Sequence, residues 1–179
     1  MRTPMKIGLF ALTITLVAVA ASVATAITFS SNVTGGRVTK VNAVRGTFVQ
    51  VFTDDGGATT PTDLAGGSTT ISVPAGQKAL LLIRFSAATA CYGGEIGGAN
   101  TCYVQALVDG SPADPGEVRF DNNNGNTESS QYEAHAMEWA KNVGAGTHTI
   151  QIQVRIDDAP GVVEFDLDPW TLAVERVQR

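Results

Sequence analysis

The sequence predicts an all-β fold, an antiparallel β-sandwich of jelly-roll type with about ten short strands preceded by an N-terminal signal helix. Three observations carry that prediction. From His148 to Ile156, the residues His148, Ile150, Ile152, Val154 and Ile156 alternate with Thr149, Gln151, Gln153 and Arg155. A period of two gives a strand one dry face and one wet face. Strand-length apolar runs then recur between clusters of Gly, Pro, Asp and Asn, residues that turn the backbone. Finally, no segment after residue 26 carries a convincing 3.6-residue stripe.

Taken in order, residues 1–26 read as a secretory signal. Arg2 and Lys6 make a basic start, Ile7 to Val23 is uncharged, and Ala24-Thr25-Ala26 offers the small residues a signal peptidase accepts. The alternative is an uncleaved membrane anchor, because the run approaches the roughly 20 residues of a spanning helix. The Ala, Ser, Thr and Val content of residues 18–26 favours cleavage. A single β-sandwich domain over 27–179 is expected, and its size suits one core. Nothing later in the chain is long and uncharged enough to span a bilayer, so no membrane contact is expected after cleavage.

Strands are expected at Arg37–Val44, Thr47–Thr53, Thr69–Val73, Lys78–Ser86, Thr101–Asp109, Glu117–Phe120 and Gln131–Lys141. Ala79 to Phe85 is apolar on both faces apart from Arg84, which suits a central strand between two layers. Ser130 to Ala140 is the one place where a helix could hide, since Tyr132, His135, Met137 and Trp139 fit neither period; it is read as a strand. After the His148–Ile156 strand, Val163, Phe165 and Leu167 alternate with acidic residues, and beyond Pro169 the alternation resumes with Trp170, Leu172 and Val174. The C-terminal third therefore reads as an antiparallel meander.

Cys91 and Cys102, the two cysteines of the chain, are expected to form a disulfide in an exported protein. Metal binding needs more ligands than two thiols, and the spacing is not that of a redox Cys-x-x-Cys. An immunoglobulin-type sandwich is the alternative fold. Against it, the cysteines stand too close in sequence for the usual inter-sheet bridge, and Trp170 lies beyond both rather than between them. Without Arg2 and Lys6 the chain keeps 10 basic against 17 acidic residues, a net charge of −7. Such a surface argues against nucleic acid and anionic lipid as partners.

The run Val73-Pro74-Ala75-Gly76-Gln77-Lys78 leading into Ala79–Ser86, the Cys91/Cys102 loop followed by Val108-Asp109-Gly110, the segment Ala145–Ile150 and the ending Trp170–Glu175 resemble uncharacterised secreted bacterial β-sandwich proteins. They are also similar, more loosely, to the jelly-roll modules of phage tail and C1q-like proteins. The resemblance covers roughly residues 70 to 177. It implies a fold and an extracellular setting, and carries over no catalytic residue and no ligand.

No Gly-x-Ser-x-Gly elbow, His-Glu-x-x-His helix or phosphate-cradling loop is present. His148 is in phase with the buried side of its strand and reads as structural; His135 could be oriented by Glu133, two residues away on the same strand face. A carbohydrate-active hydrolase, needing two opposed carboxylates, is one alternative function. Calcium is the one cofactor considered, with Asp121, Asn123, Asp157 and Asp158 as oxygen donors on loops; ordinary turn chemistry explains the same residues. Tyr92, Tyr103, Gln105 and Trp139 are the candidate ligand-binding residues. A Tyr-Gln face beside the disulfide loop would suit a glycan, and a second buried sheet face is the competing explanation. The favoured reading is a secreted, non-enzymatic β-sandwich that binds a glycan or a surface protein. The other alternative is a structural assembly protein that forms oligomers.

Overall fold

The computed structural model describes residues 36–54, 60–94, 100–123, 131–157 and 162–178. The expected signal helix lies outside these residues. Alternating apolar side chains fold into ten strands among them: β1 (Arg37–Gly46), β2 (Gln50–Asp54), β3 (Thr62–Val73), β4 (Ala79–Gly93), β5 (Asn100–Val108), β6 (Ser111–Pro112), β7 (Val118–Asn123), β8 (Glu133–Val143), β9 (Gly146–Ile156) and β10 (Val163–Gln178). The first sheet has the order β1-β10-β4-β8, with β2 also on β10; the second has the order β3-β9-β5-β6, with β7 also on β5. Every pairing between these strands is antiparallel. Successive long strands pass from one sheet to the other, so the chain wraps around its own core in jelly-roll fashion.

The core lies between the sheets. Leu81, Ile83 and Phe85 of β4 and Phe165, Leu172 and Val174 of β10 face Ile150, Ile152 and Val154 of β9 and Val104 and Ala106 of β5. Both long sides of the sandwich are closed by polar contacts. On one side Asp114 and Ala140 pair through their backbones; on the other, Asn42 Nδ2 donates to the Thr70 carbonyl and Gln50 Nε2 donates to the Ala65 carbonyl over 2.9 Å.

Four expectations are corrected here. The C-terminal meander does not form, because β9 and β10 belong to different sheets. The segments Val163–Leu167 and Trp170–Val174, read as two strands, are one strand whose register shifts between Leu167 and Trp170. Asp168 and Pro169 together stand opposite the single Ala88, and the one extra residue changes the phase of alternation, so that odd positions face the core before the bulge and even ones after it. Across from this bulge the edge is interrupted too, and β1 and β2 continue one line on either side of it. β4 is central, as expected, but among the described residues no second layer covers its outer face over Arg84 and Ser86, which are exposed. β3 also begins earlier than expected, at Thr62, with a shift between Asp63 and Ser68 that accommodates the turn-like Leu64–Gly67.

The disulfide is present, and it does what the spacing was taken to forbid. Cys91 stands on β4 of the first sheet and Cys102 on β5 of the second, with Cα atoms 6.1 Å apart. β4 ends at Gly93 and β5 begins at Asn100, so a sequence separation of 11 suffices to bridge the sheets.

Trp170 fills the core at the bulge. The indole lies so close to Gly46 that a Cβ there would sit 2.1 Å from its Nε1. Gly46→Ala should therefore displace the ring and destabilise the fold by about 1–3 kcal/mol, the usual cost of overpacking. Urea titration reads this directly, and an unchanged midpoint would show that the edge strand yields without cost.

Candidate functional site

On β4, β8 and β10, alternation turns every second side chain of the first sheet outward, and many of those side chains are small. Ser86 and Ala88 of β4 lie beside Ala134 and Ala136 of β8, while Thr171 of β10 flanks Ser86. Pro169 rises at the bulge, where a residue without an N–H does not interrupt the ladder. These residues line a shallow groove of about 350 Å³. At one end Arg84 closes it, donating from Nε to Glu138 over 2.5 Å and from Nη1 to Glu175 over 2.7 Å.

At the other end stands a cluster of phenols and carboxylates. Continuing past Ala88, the next outward pairs are Ala90 with Asp166 and Tyr92 with Glu164. The Tyr92 hydroxyl donates to Glu164 Oε2 over 2.6 Å and lies 3.2 Å from Asp166 Oδ2, to which the Tyr132 hydroxyl donates over 2.9 Å. Asp166 is only 6% exposed, and its Oδ1 is buried without a hydrogen-bond partner. Both phenols are held in the neutral form. Tyr92 is pushed well above the usual tyrosine pKa, first by its hydrogen bond to Glu164 and then by burial. Tyr132 is raised first by burial and then by its hydrogen bond to Asp166.

The residues singled out from sequence are not brought together. Tyr92 belongs to this cluster, whereas Tyr103 and Gln105 are on β5 of the opposite sheet. There the Arg155 guanidinium lies 4.2 Å from the centre of the Tyr103 ring, the Tyr103 hydroxyl donates to Asp157 over 3.2 Å, and Gln105 donates to Gln153 over 2.8 Å. Trp139 is 1% exposed and donates from Nε1 to the Gly116 carbonyl over 2.6 Å, which makes it a core residue with no surface to offer. Tyr132, Glu164 and Asp166 were visible only as a surface aromatic and two strand carboxylates. Nothing in the sequence says that β10 lies beside β4.

Two of the four calcium candidates have protein partners of their own. Asp121 accepts from the Thr89 hydroxyl over 2.7 Å and from the Asn122 N–H over 2.7 Å; Asp157 pairs with Arg155 at 3.3 Å. The Asn123 side chain and Asp158 lie outside the described residues. Among the described residues no group of three or more His, Cys, Asp or Glu is arranged to hold a metal. His135 Nε2 is 3.8 Å from Asp121 and 3.9 Å from Glu133, beyond hydrogen-bond reach of either.

His148 is tied into the turn that follows β5. Its Nδ1 lies 2.7 Å from Asp109 Oδ2 and its Nε2 lies 3.1 Å from the Gly144 carbonyl, so the doubly protonated ring satisfies both acceptors. Burial disfavours that charge, but the Asp109 and Gly144 bonds outweigh it and His148 is raised above 6.5; Asp109, bonded to His148 and to the Thr149 N–H, is lowered below 3.8. The sign follows from linkage. The contribution of His148 is complete below 6.5 and is lost as pH rises through its higher folded value. That of Asp109 is complete above 3.8 and is lost as pH falls through its lower folded value. Asp109→Asn keeps a residue tolerant of the left-handed φ of 51°. The difference in Tm between parent and variant should be largest near pH ~5 and shrink by pH ~9; a difference independent of pH would remove the ion pair from the account.

No protein-family model matches the chain, and no curated protein matches it. Among solved structures, the VP2 subviral particle of infectious bursal disease virus is similar over 78% of this chain and 39% of its own, with 11% identity and a TM-score of 0.39. The Gx strain of that virus gives 12% identity over 78% of this chain and 39% of its own, with a TM-score of 0.34. This chain thus spans well under half the length of those proteins, and the likeness says nothing of function.

Proposed function

We propose that this chain is a secreted, non-enzymatic β-sandwich that binds a glycan along the outer groove of its first sheet. One observation carries the reading: a groove floored by small side chains lies on the same outward rows as two tyrosines and two carboxylates. A sugar ring presents an apolar face and a rim of hydroxyls. A floor of Ala and Ser leaves room for the ring, an exposed phenol ring can stack on it, and Thr171, Ser86, Glu164 and Arg84 supply polar partners. Glu164 and Asp166 sit on one strand and accept from phenols, rather than facing each other across the groove as hydrolytic carboxylates do. The export part of the proposal rests on residues 1–26.

Residues 27–179 should be retained on a polysaccharide array without releasing sugar, and Tyr132→Ala should weaken retention about tenfold, equivalent to about 1.4 kcal/mol. Released sugar would convert the reading to a hydrolase, and retention unaffected by the variant would move the site elsewhere.

A second reading, self-assembly, is favoured by the β1–β2 edge. Phe48 is 81% exposed at the interruption, and Val38, Val41, Val49 and Val51 are also exposed on this edge. Arg37, Lys40 and Arg45 on β1 place positive charge beside those apolar side chains, and a second copy of this acidic chain would complement it. Light scattering that gives the mass of more than one chain, reduced by Phe48→Ser, would support this reading; a monomer would dismiss it.

A further inference from the structure

We infer that the phenol–carboxylate end of the groove recognises a protonated amine, which makes the ligand class a glycan carrying free amino sugars; the inference rests on the groove being the glycan site. Three features converge. Asp166 is buried to 94% of its surface, yet one carboxylate oxygen has no donor, an arrangement that costs free energy until a donor arrives. No lysine, arginine or histidine of the described residues forms an ion pair with Glu164, Asp166 or Asp168. By contrast Glu117, Glu138, Glu175, Asp109 and Asp157 each have a basic partner. Lastly, the Tyr132 ring, 45% exposed, offers a face to a cation at the mouth of the cluster.

The shape of the cluster selects the kind of cation. A divalent metal wants several converging oxygens, and among the described residues no group of three or more His, Cys, Asp or Glu is arranged to hold one. The two hydroxyls donate to Glu164 and Asp166 and hold those carboxylates in place. An alkylammonium group needs less: N–H donors to Asp166 Oδ1 and Glu164, and the phenol face beside it. A sugar bearing that amine would then lie over Ala88 and Ala134, one step along the same outward rows.

The test is calorimetric titration of the exported chain with β-linked glucosamine oligomers and with the N-acetylated oligomers of equal length, at mildly acid pH. Binding of the amino form at least tenfold tighter, with the preference lost in Asp166→Asn and in Tyr132→Ala and kept in Tyr132→Phe, is the expected result. Asp63→Asn, which removes one charge from the opposite sheet, should leave the preference intact; an equal loss there would assign it to net charge and overturn the inference. Equal affinity for both oligomers would overturn the amine site while leaving the glycan groove standing. Binding of neither would bring down the groove reading itself. If Asp166→Asn does not fold, the exposed Tyr132 variants still decide the outcome.

Discussion

Truncation of Phe85 to alanine is expected to lower the unfolding free energy by about 3–5 kcal/mol, the range for removing a buried aromatic ring. Phe85 is fully buried on the central strand β4. Its ring lies 5.6 Å from that of Phe120 in the second sheet and 6.1 Å from that of Trp170 on β10, so it joins the two sheets and the bulge in one contact set. Neither neighbour can close the void easily. Trp170 is backed by Gly46, and Phe120, the residue skipped where β7 shifts register on β5, also packs against the His135 ring at 5.7 Å. Urea unfolding should show a lower midpoint at unchanged slope. A loss below about 1 kcal/mol would mean that the core relaxes into the space, against the packing described.

Removing the disulfide, by Cys91→Ser with Cys102→Ser or by reduction, should cost about 2–4 kcal/mol. Closing a loop between residues 11 apart in sequence contributes about 2–3 kcal/mol in the chain-entropy account. For a chain of this size that is a fall in Tm of about 5–10 °C. The fold should persist, since the sheets remain joined by the core and by the closures at both long sides. A scan in reductant that superimposes on the oxidised one would show the bridge to be stabilising nothing.

How far the sequence discloses this molecule depends on the range of the interaction. β9 was legible because it alternates cleanly in a strand with one face buried and one in water. The β8 region was obscure for an opposite reason: its outward residues are Ala134 and Ala136, which blur the contrast between faces, and its edge position leaves the inward His135 and Met137 only partly buried. The break at Pro169 was visible as a change of phase, but a bulge and a strand end look alike until the neighbouring strand is known. The same limit governs the site. Tyr92 could be noticed as an aromatic near a cysteine; its partners Glu164 and Asp166 are more than seventy residues away in the chain and meet it only through the pairing of β4 with β10. Sheet membership, set by long-range wrapping, likewise decided that Tyr103 faces the other way and that two close cysteines bridge two sheets.

The pairing of the first described strand with the last has a geometric consequence for presentation. Arg37 lies opposite Gln178, so the polypeptide enters and leaves this unit at one corner. Val163, at the far end of β10, pairs with Gly93 near the disulfide and the Tyr92 hydroxyl. Sixteen residues of extended strand separate the two ends, a reach of roughly 50 Å. A tether attached beside Arg37 or Gln178 would therefore hold the sandwich at that corner and leave the phenol–carboxylate cluster toward the opposite end of β10.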